Sequence, residues 1–231
     1  MIHKFSLDRS ASLRFMKLVQ KEDVRDSDLW MSAVYEGGPS LSDEPIHLIL
    51  GTQNMKGIRP KRQVDGKTAF IALHSTADEI EWPDSLDHST GIYTYYGDNR
   101  TVGNGLLSSD GNKAIERIFS SDFDTKEGRL TIPPFFIFSA VDGFAARSVQ
   151  FKGLAVPGFS GPQEDWCVSK FFKSTTGKFH NFQFKLTILA ERSISKKWIN
   201  DLINGEITSP NCPDWYQEWI ESGIRIPCVN R

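Results

Sequence analysis

The pattern of hydrophobic and polar positions along the chain predicts a protein built mainly from strands. Residues 68–73 form an apolar run typical of a buried strand, and residues 92–96 combine β-branched and aromatic side chains that suit a pleated, half-buried surface. Between residues 179 and 189 apolar and polar side chains alternate, which predicts a strand with one buried face. Further strands are predicted at residues 130–141, 148–157 and 168–174.

A few helices accompany these strands. Residues 195–204 are amphipathic and are followed by Gly205, a good helix C-cap. Residues 213–222 predict a short aromatic helix. Apolar residues with helical spacing at residues 112–121 predict the start of another helix. Residues 26–35 alternate with period two and fit either a strand or a helix. The combination predicts an α+β protein.

The length and composition are those of a folded protein and limit the classes of partner that it can bind. The 231 residues allow one large domain or two small ones, and 39% hydrophobic and 12% aromatic content supports a real core. The net charge of -2 argues against general coating of a phosphate backbone but permits a local basic patch. No apolar stretch approaches the roughly 18 residues of a membrane span, and no signal peptide is visible.

The three cysteines, Cys167, Cys212 and Cys228, are widely spaced and have no metal-ligand spacing. This pattern predicts reduced thiols in a cytoplasmic protein. His74 and His88 lie in no cluster with zinc spacing, so both are predicted to be structural residues and no metal is expected.

Aromatic and acidic residues are most concentrated between residues 81 and 119. Trp82, Asp84 and Asp87 precede a turn, a tyrosine-rich strand follows at residues 92–96, and Gly97-Asp98-Asn99 ends it. Such a hairpin brings flat rings and hydrogen-bond acceptors together, which suits a planar polar ligand such as a nucleobase. The alternative is that the tyrosines serve ordinary packing.

The densest positive stretch lies between residues 53 and 67. A loop that follows DNA phosphates would have this composition, because lysine and arginine release counterions there. A solvated surface loop is the alternative. Its basic residues are Lys56, Arg59, Lys61, Arg62 and Lys67.

The central block resembles the N-terminal recognition domain of modification-dependent restriction endonucleases of the MspJI and AspBHI type. The resemblance rests on Trp82-Pro83-Asp84, on the aromatic strand with Gly97-Asp98-Asn99, and on Gly111-Asn112. Weaker similarity extends over nearly the whole chain. The glycine pair that follows the family's Gln is reduced here to one glycine after Gln53, which leaves open whether Gln53 reaches the base or only supports its loop.

This resemblance implies a fold similar to the SRA (PUA-like) fold, a twisted, barrel-like β-sheet flanked by a few helices. It implies one recognition domain over residues 1–231, with an optional small N-terminal subdomain over about residues 1–45, and a cleavage domain after residue 231. The implied partner is double-stranded DNA containing 5-methylcytosine or 5-hydroxymethylcytosine, read by base flipping. The chain itself is then no enzyme and needs no cofactor, with Mg²⁺ reserved for the separate cleavage domain. The resemblance leaves open a homo-oligomer of the intact protein.

Site roles follow from the same resemblance. Asp84 would accept from the cytosine N4 amine, which distinguishes cytosine from thymine. Tyr95 is the first candidate for a stacking ring. Tyr93 and Tyr95 share one strand face and Tyr96 points to the other, so the three rings cannot line one pocket. The remaining pocket candidates are Trp82, Gln53, Asp87, Tyr96 and Asp98, and the backbone-binding candidates are the five basic residues above with Arg100.

Three other functions stay open from the sequence. A small nuclease could use Asp84, Asp124 and Lys126 to hold Mg²⁺ and organise water, although Asp124-Thr125-Lys126 reads as a polar turn and Gln183-Phe184-Lys185 is an equally weak match. A module whose tyrosine-rich strand binds protein is the second. A reader of a different DNA modification is the third.

Overall fold

The computed structural model describes residues 17–54, 56–76 and 82–229 of the chain. Ten of the strands in this part join into one mixed sheet, and a second, two-stranded sheet lies beside it. The strands are β1 (Leu18–Val19), β2 (Leu29–Trp30), β3 (Val34–Tyr35), β4 (Ile58–Arg62), β5 (Thr68–Ser75), β6 (Ser85–Asp87), β7 (Ile92–Tyr96), β8 (Phe135–Ala140), β9 (Val149–Pro157), β10 (Cys167–Ser174), β11 (Gly177–Ile188) and β12 (Ser193–Ile194).

The main sheet runs in the order β4-β5-β8-β9-β11-β7-β6. Only β5–β8 and β1–β3 are parallel pairs, and the other pairs are antiparallel. Strand β10 pairs with β11, β3 pairs with β9, and β12 pairs with β2. The sequence predicted a barrel-like sheet, but β4 and β6 end the path without pairing to each other in the described residues, so the sheet is open there.

Five α-helices flank the sheet in the described residues. Helices α4 (Lys196–Asn204) and α5 (Asp214–Ser222) place their rings against the sheet core, where Phe136 contacts Trp198 at 6.2 Å between ring centroids and Tyr216 contacts Trp198 at 5.1 Å. These aromatic side chains are fully buried, and together with the phenylalanines of β8 they form the centre of the core. The helices are α1 (Pro45–Leu50), α2 (Asp110–Phe119), α3 (Lys126–Arg129), α4 (Lys196–Asn204) and α5 (Asp214–Ser222).

The structure confirms the α+β class and most of the predicted elements. The predicted strand at residues 130–141 begins only at Phe135, because Pro133 and Pro134 cannot donate to a strand ladder. Residues 26–35 form two short strands, with Ser32 at a positive φ of 63° between them. The apolar residues at positions 46–50 belong to the helix α1. Residues 8–23, whose sequence fits either a short helix or a strand, lie partly outside the described residues.

A buried arginine joins two of these helices. Arg129, at the end of α3, is 5% exposed, and its guanidinium donates to the carbonyl oxygens of Ile220 at 2.9 Å and Glu221 at 3.1 Å in the last turn of α5. It also donates to the carbonyls of Phe123 and Asp124. A cation is favoured at a helix C-terminus, where carbonyl groups lack intrahelical partners.

We expect Arg129→Met to lower the free energy of unfolding by about 2–4 kcal/mol, because the buried carbonyls would lose a charged donor. Chemical denaturation of the variant beside Arg117→Met, an exposed arginine of α2, measures the difference. Equal stability of the two variants would contradict the bridging role of Arg129.

Candidate functional site

A cleft of about 880 Å³ opens at one end of the main sheet. Its walls come from the paired ends of β4 and β5, the end of β7 with the following turn, the start of α2, and residues 140–149. The volume lies within the range of small-ligand pockets. Parts of the chain that are distant in sequence therefore converge on one concave surface.

Four of the predicted pocket residues line this cleft: Asp84, Tyr95, Tyr96 and Asp98. Asp84 precedes β6, and one carboxylate oxygen accepts the backbone N–H of Tyr96 at 3.3 Å across the hairpin. Strand alternation buries Tyr93 and Tyr95 on one face, each 4% exposed, and turns Tyr96 to the other face.

Tyr95 is held rigidly at the wall of the cleft. Its hydroxyl donates to the backbone carbonyl of His74 at 2.9 Å, and its ring packs against Phe184 with 5.6 Å between centroids. Burial raises the pKa of Tyr95 well above its ordinary value, and the nearby Asp84 carboxylate raises it further. Tyr95 is therefore a neutral hydroxyl donor at any physiological pH.

The structure places the other three pocket candidates outside the lining of the cleft. The Trp82 ring packs edge-on against Phe172 and Phe179, at 5.8 and 5.2 Å between centroids. Asp87 holds the turn of the hairpin by accepting the N–H of Ser89 at 2.9 Å. Gln53 is exposed, and its neighbours in the chain line the cleft instead.

Five of the six predicted phosphate-binding cations are at least partly exposed. Lys56 and Arg100 are exposed and line the cleft. Lys61 donates to the carbonyl of Gly51 at 2.9 Å, Arg62 donates to the carbonyl of Gly66 at 3.2 Å, and Lys67 pairs with Asp65 at 2.9 Å. These three remain at the surface but are partly engaged by their own loops.

Arg59 differs from the surface cation that the sequence predicted. It is 2% exposed and forms an ion pair of 2.6 Å with Glu44, which is itself buried. Its Nε donates to the carbonyl of Lys56, and its Nη2 contacts Nδ1 of His74 at 3.2 Å. Burial of an arginine requires this degree of pairing. Arg59 therefore lines the cleft as a buried, paired cation and not as an exposed surface cation.

His74 lines the cleft, and its contact with Arg59 fixes its tautomer. A guanidinium can only donate, so Nδ1 of His74 accepts from Arg59 and the ring proton lies on Nε2. Nε2 is buried and has no hydrogen-bond partner among the described residues. Burial, with the charge of Arg59 as a smaller cause, lowers the pKa of His74 to about 4. The ring is therefore neutral near pH 7.

A network of buried asparagines supports the rim of the cleft. The Asn112 side chain accepts the N–H of Asp98 at 3.0 Å and donates to the Asn181 side chain at 2.9 Å. Asn181 donates in turn to the carbonyl of Gly97 at 2.7 Å. A Cβ at Gly97 would overlap the amide oxygens of both asparagines, so glycine is required there. Ser109 caps α2 and donates to the carboxylate of Asp98.

Sequence reasoning missed several of these residues. Glu44 and Asn181 carried no recognisable signal, because a buried ion pair and a buried amide look like surface residues in the sequence. Arg147 was also missed; it lines the cleft and donates to the carbonyl of Gly38 at 3.1 Å. Asn112 was visible only as part of the Gly111-Asn112 motif, without a role.

The residues of the alternative nuclease hypothesis have structural contacts of their own. Lys126 pairs with Glu221 at 2.7 Å, and the backbone carbonyl of Asp124 accepts from Arg129. Within the part of the chain that the structure describes, no group of three histidine, cysteine or acidic side chains could hold a metal ion. Over the same residues, none of the helices has the length and apolar character of a membrane span.

Comparison with known families agrees with this arrangement. The family model of the restriction endonuclease AspBHI N-terminal domain matches residues 29–230, which is most of the chain. The chain belongs to this family. A search of curated proteins found no match.

Two solved structures are similar to this chain over most of its length. The DNA recognition domain of the cytosine modification-dependent restriction endonuclease LpnPI is 34% identical, with a TM-score of 0.83, over 93% of this chain and 97% of that domain. The DNA modification-dependent restriction endonuclease AspBHI is 29% identical, with a TM-score of 0.82, over 93% of this chain and 100% of that one. This chain therefore corresponds to the recognition part of such an enzyme and not to its cleavage part.

A third structure shares the fold. The MspJI restriction endonuclease, solved in complex with a 27-mer oligonucleotide, is 20% identical with a TM-score of 0.69. The match covers 96% of this chain and 57% of that chain. At this identity the likeness concerns the fold alone.

The neutral state of His74 predicts a dependence of stability on pH. The unfolded chain binds a proton at His74 below about pH 6.5, while the folded chain does not until about pH 4, so stability falls as the pH drops through this window. From pH 7 to pH 5 we expect a loss of roughly 2 kcal/mol from this group.

Denaturation at both pH values tests this expectation. His74→Asn keeps an acceptor for Arg59 and should remove that part of the pH dependence, while His88→Asn, at an exposed turn position, should keep it. A pH dependence unchanged in His74→Asn would contradict the prediction.

We expect Asn112→Ala to lower the free energy of unfolding by about 2–4 kcal/mol, because the backbone N–H of Asp98 and the carbonyl of Leu106 lose their hydrogen bonds to Asn112, and Asn181 loses one of its own. Asn104→Ala, an exposed position in the loop before α2, is the control. Thermal unfolding of the two variants measures the difference, and equal unfolding midpoints would contradict a supporting role for the asparagine network.

Proposed function

We propose that this chain binds duplex DNA and recognises a modified cytosine, 5-methylcytosine or 5-hydroxymethylcytosine, after flipping it into the cleft. The observation that carries the proposal is that the Asp84 carboxylate and Tyr95 line the same cleft, which has a suitable size. The family membership supports it, because LpnPI and AspBHI are named as modification-dependent restriction endonucleases.

The chemistry of the cleft complements a cytosine edge. Asp84 lines the cleft and offers acceptors for the N4 amine. Thymine carries a carbonyl where cytosine carries the amine, so it would face the Asp84 carboxylate with an unfavourable acceptor. The Asp84 carboxylate therefore favours cytosine among the pyrimidines.

The energy balance of flipping is compatible with this cleft. Extruding a base costs a few kcal/mol of stacking and pairing. Contact with the ring of Tyr95 returns about 1–3 kcal/mol, as for base–aromatic stacking generally. Lys56 and Arg100, exposed at the rim, supply attraction to the phosphates on either side of the flipped base.

The first experiment is a titration of the chain with three matched duplexes that carry cytosine, 5-methylcytosine or 5-hydroxymethylcytosine at one position. A clear preference for a modified duplex at moderate salt supports the proposal. Equal, salt-sensitive binding to all three would contradict recognition of the base and leave a backbone binder or a reader of another modification. A fluorescent base analogue beside the target cytosine reports flipping in the same titration.

We expect Asp84→Asn to reduce the preference for the modified duplex about 10- to 100-fold, because one acceptor for the N4 amine becomes a donor. Binding to the unmodified duplex should change little, since it depends on the phosphates. Asp87→Asn, an acidic residue of the same hairpin outside the cleft lining, is the matched control. Full preference in Asp84→Asn, or its loss in Asp87→Asn, would overturn the assignment.

A further inference from the structure

We propose that the hairpin formed by β10 and β11 is a second DNA-contacting surface, which holds the sugar–phosphate backbone beside the cleft. The inference rests on the proposed function, since it takes duplex DNA as the partner. The surface comprises Phe171, Lys173, Lys178 and His180, which lie outside the cleft lining and outside the basic stretch at residues 53–67.

The charge of this hairpin differs from that of the rest of the chain. Residues 166–190 contain four lysines and no aspartate or glutamate, although the chain as a whole carries a net charge of -2. Two of these lysines are engaged within the fold: Lys170 donates to the side chain of Gln183 at 2.5 Å, and Lys185 lies over the ring of Phe159 at 4.8 Å. The other two, Lys173 and Lys178, face solvent.

Lys173 and Lys178 are directly opposite each other near the tip of the hairpin. Like charges in this position repel and destabilise a strand pair. Neither lysine forms an ion pair with any of the described residues. Two adjacent ammonium groups without carboxylates are suited to neighbouring phosphates of one DNA strand, which would relieve the repulsion.

Phe171 lies beside the lysines and is 70% exposed, an unusual state for a phenylalanine. Its ring stacks on His180, its cross-strand partner, with 4.5 Å between centroids and 10° between the planes. The stack holds the phenylalanine ring in a defined orientation above the sheet. A fixed apolar ring flanked by cations is suited to the deoxyribose between two phosphates.

The hairpin is connected to the cleft. The Asn99 side chain, in the turn after β7, donates to the backbone carbonyl of His180 at 2.8 Å. The register of β11 with β7 places His180 and Lys178 on the sheet face that carries Tyr95. A duplex whose flipped base enters the cleft therefore has its backbone directed along the face that presents these lysines.

The test measures binding of the full chain to unmodified and modified duplexes at several salt concentrations. In the double variant with Lys173→Gln and Lys178→Gln, we expect affinity for both duplexes to fall on the order of tenfold near 0.1 M salt, and the slope of log affinity against log salt to become shallower by about 2. Phe171→Ala should lower affinity several-fold without changing this slope. The preference for the modified duplex should survive in both variants.

Lys197→Gln, an exposed lysine of α4, is the control and should change neither quantity. Thermal unfolding excludes a folding defect, because removing two opposed charges should leave stability equal or higher. Unchanged affinity and salt slope in the double lysine variant would overturn the hairpin proposal while leaving base recognition in place. A third outcome is salt-sensitive binding that shows no preference for the modified duplex but is weakened by the two lysine substitutions. This result would support the hairpin proposal and overturn base recognition. If the chain without substitutions does not bind duplex DNA, both the hairpin proposal and base recognition are overturned.

Discussion

The hydrogen bonds between Asn112, Asn181 and Gly97 are the constraint on which the candidate site depends. They join the end of β7 and the start of α2, which are close in the sequence, to β11, which lies 69 to 84 residues further along the chain. Each buried amide group would be costly without its partner, so the three elements must approach in one arrangement. That arrangement sets the position of Asp98 and the distance between the rim of the cleft and the tyrosine strand.

A second buried polar group supports the opposite wall. The Glu44–Arg59 ion pair, with His74 against it, lies beneath the ends of β4 and β5. The guanidinium fixes the tautomer of the imidazole, and burial, with the charge of Arg59 as a smaller cause, keeps the ring neutral. A structural ion pair thereby fixes the tautomer of a residue that lines the cleft.

The spacing of apolar residues alone was sufficient to predict the long strands and helices. Strands such as Thr68–Ser75 and Val149–Pro157 and the helix Lys196–Asn204 follow from apolar runs or amphipathic spacing. The two-residue strands and the pairing order do not, because they depend on contacts between distant residues. The central hairpin was visible because turn residues and aromatic residues have local preferences.

The site was less predictable than the fold. Asp84 and Tyr95 were found through the motif that contains them. Arg59 was read as a surface cation because its charge is evident in the sequence and its partner, Glu44, is not. Trp82 was expected beside the base but packs on Phe172 and Phe179, two rings of a hairpin that comes about 90 residues later. Sequence spacing does not reveal such partners.

The parallel pairing of β5 with β8 has a consequence for how this family could diversify. The connection between these two strands, residues 76–134, contains the hairpin with Asp84 and Tyr95 and the helix α2. The entropic cost of closing a connection rises only slowly with its length. Length changes in the loops of this connection would leave the pairing of β5 with β8 intact, so the lining of the cleft could vary while these two strands are kept.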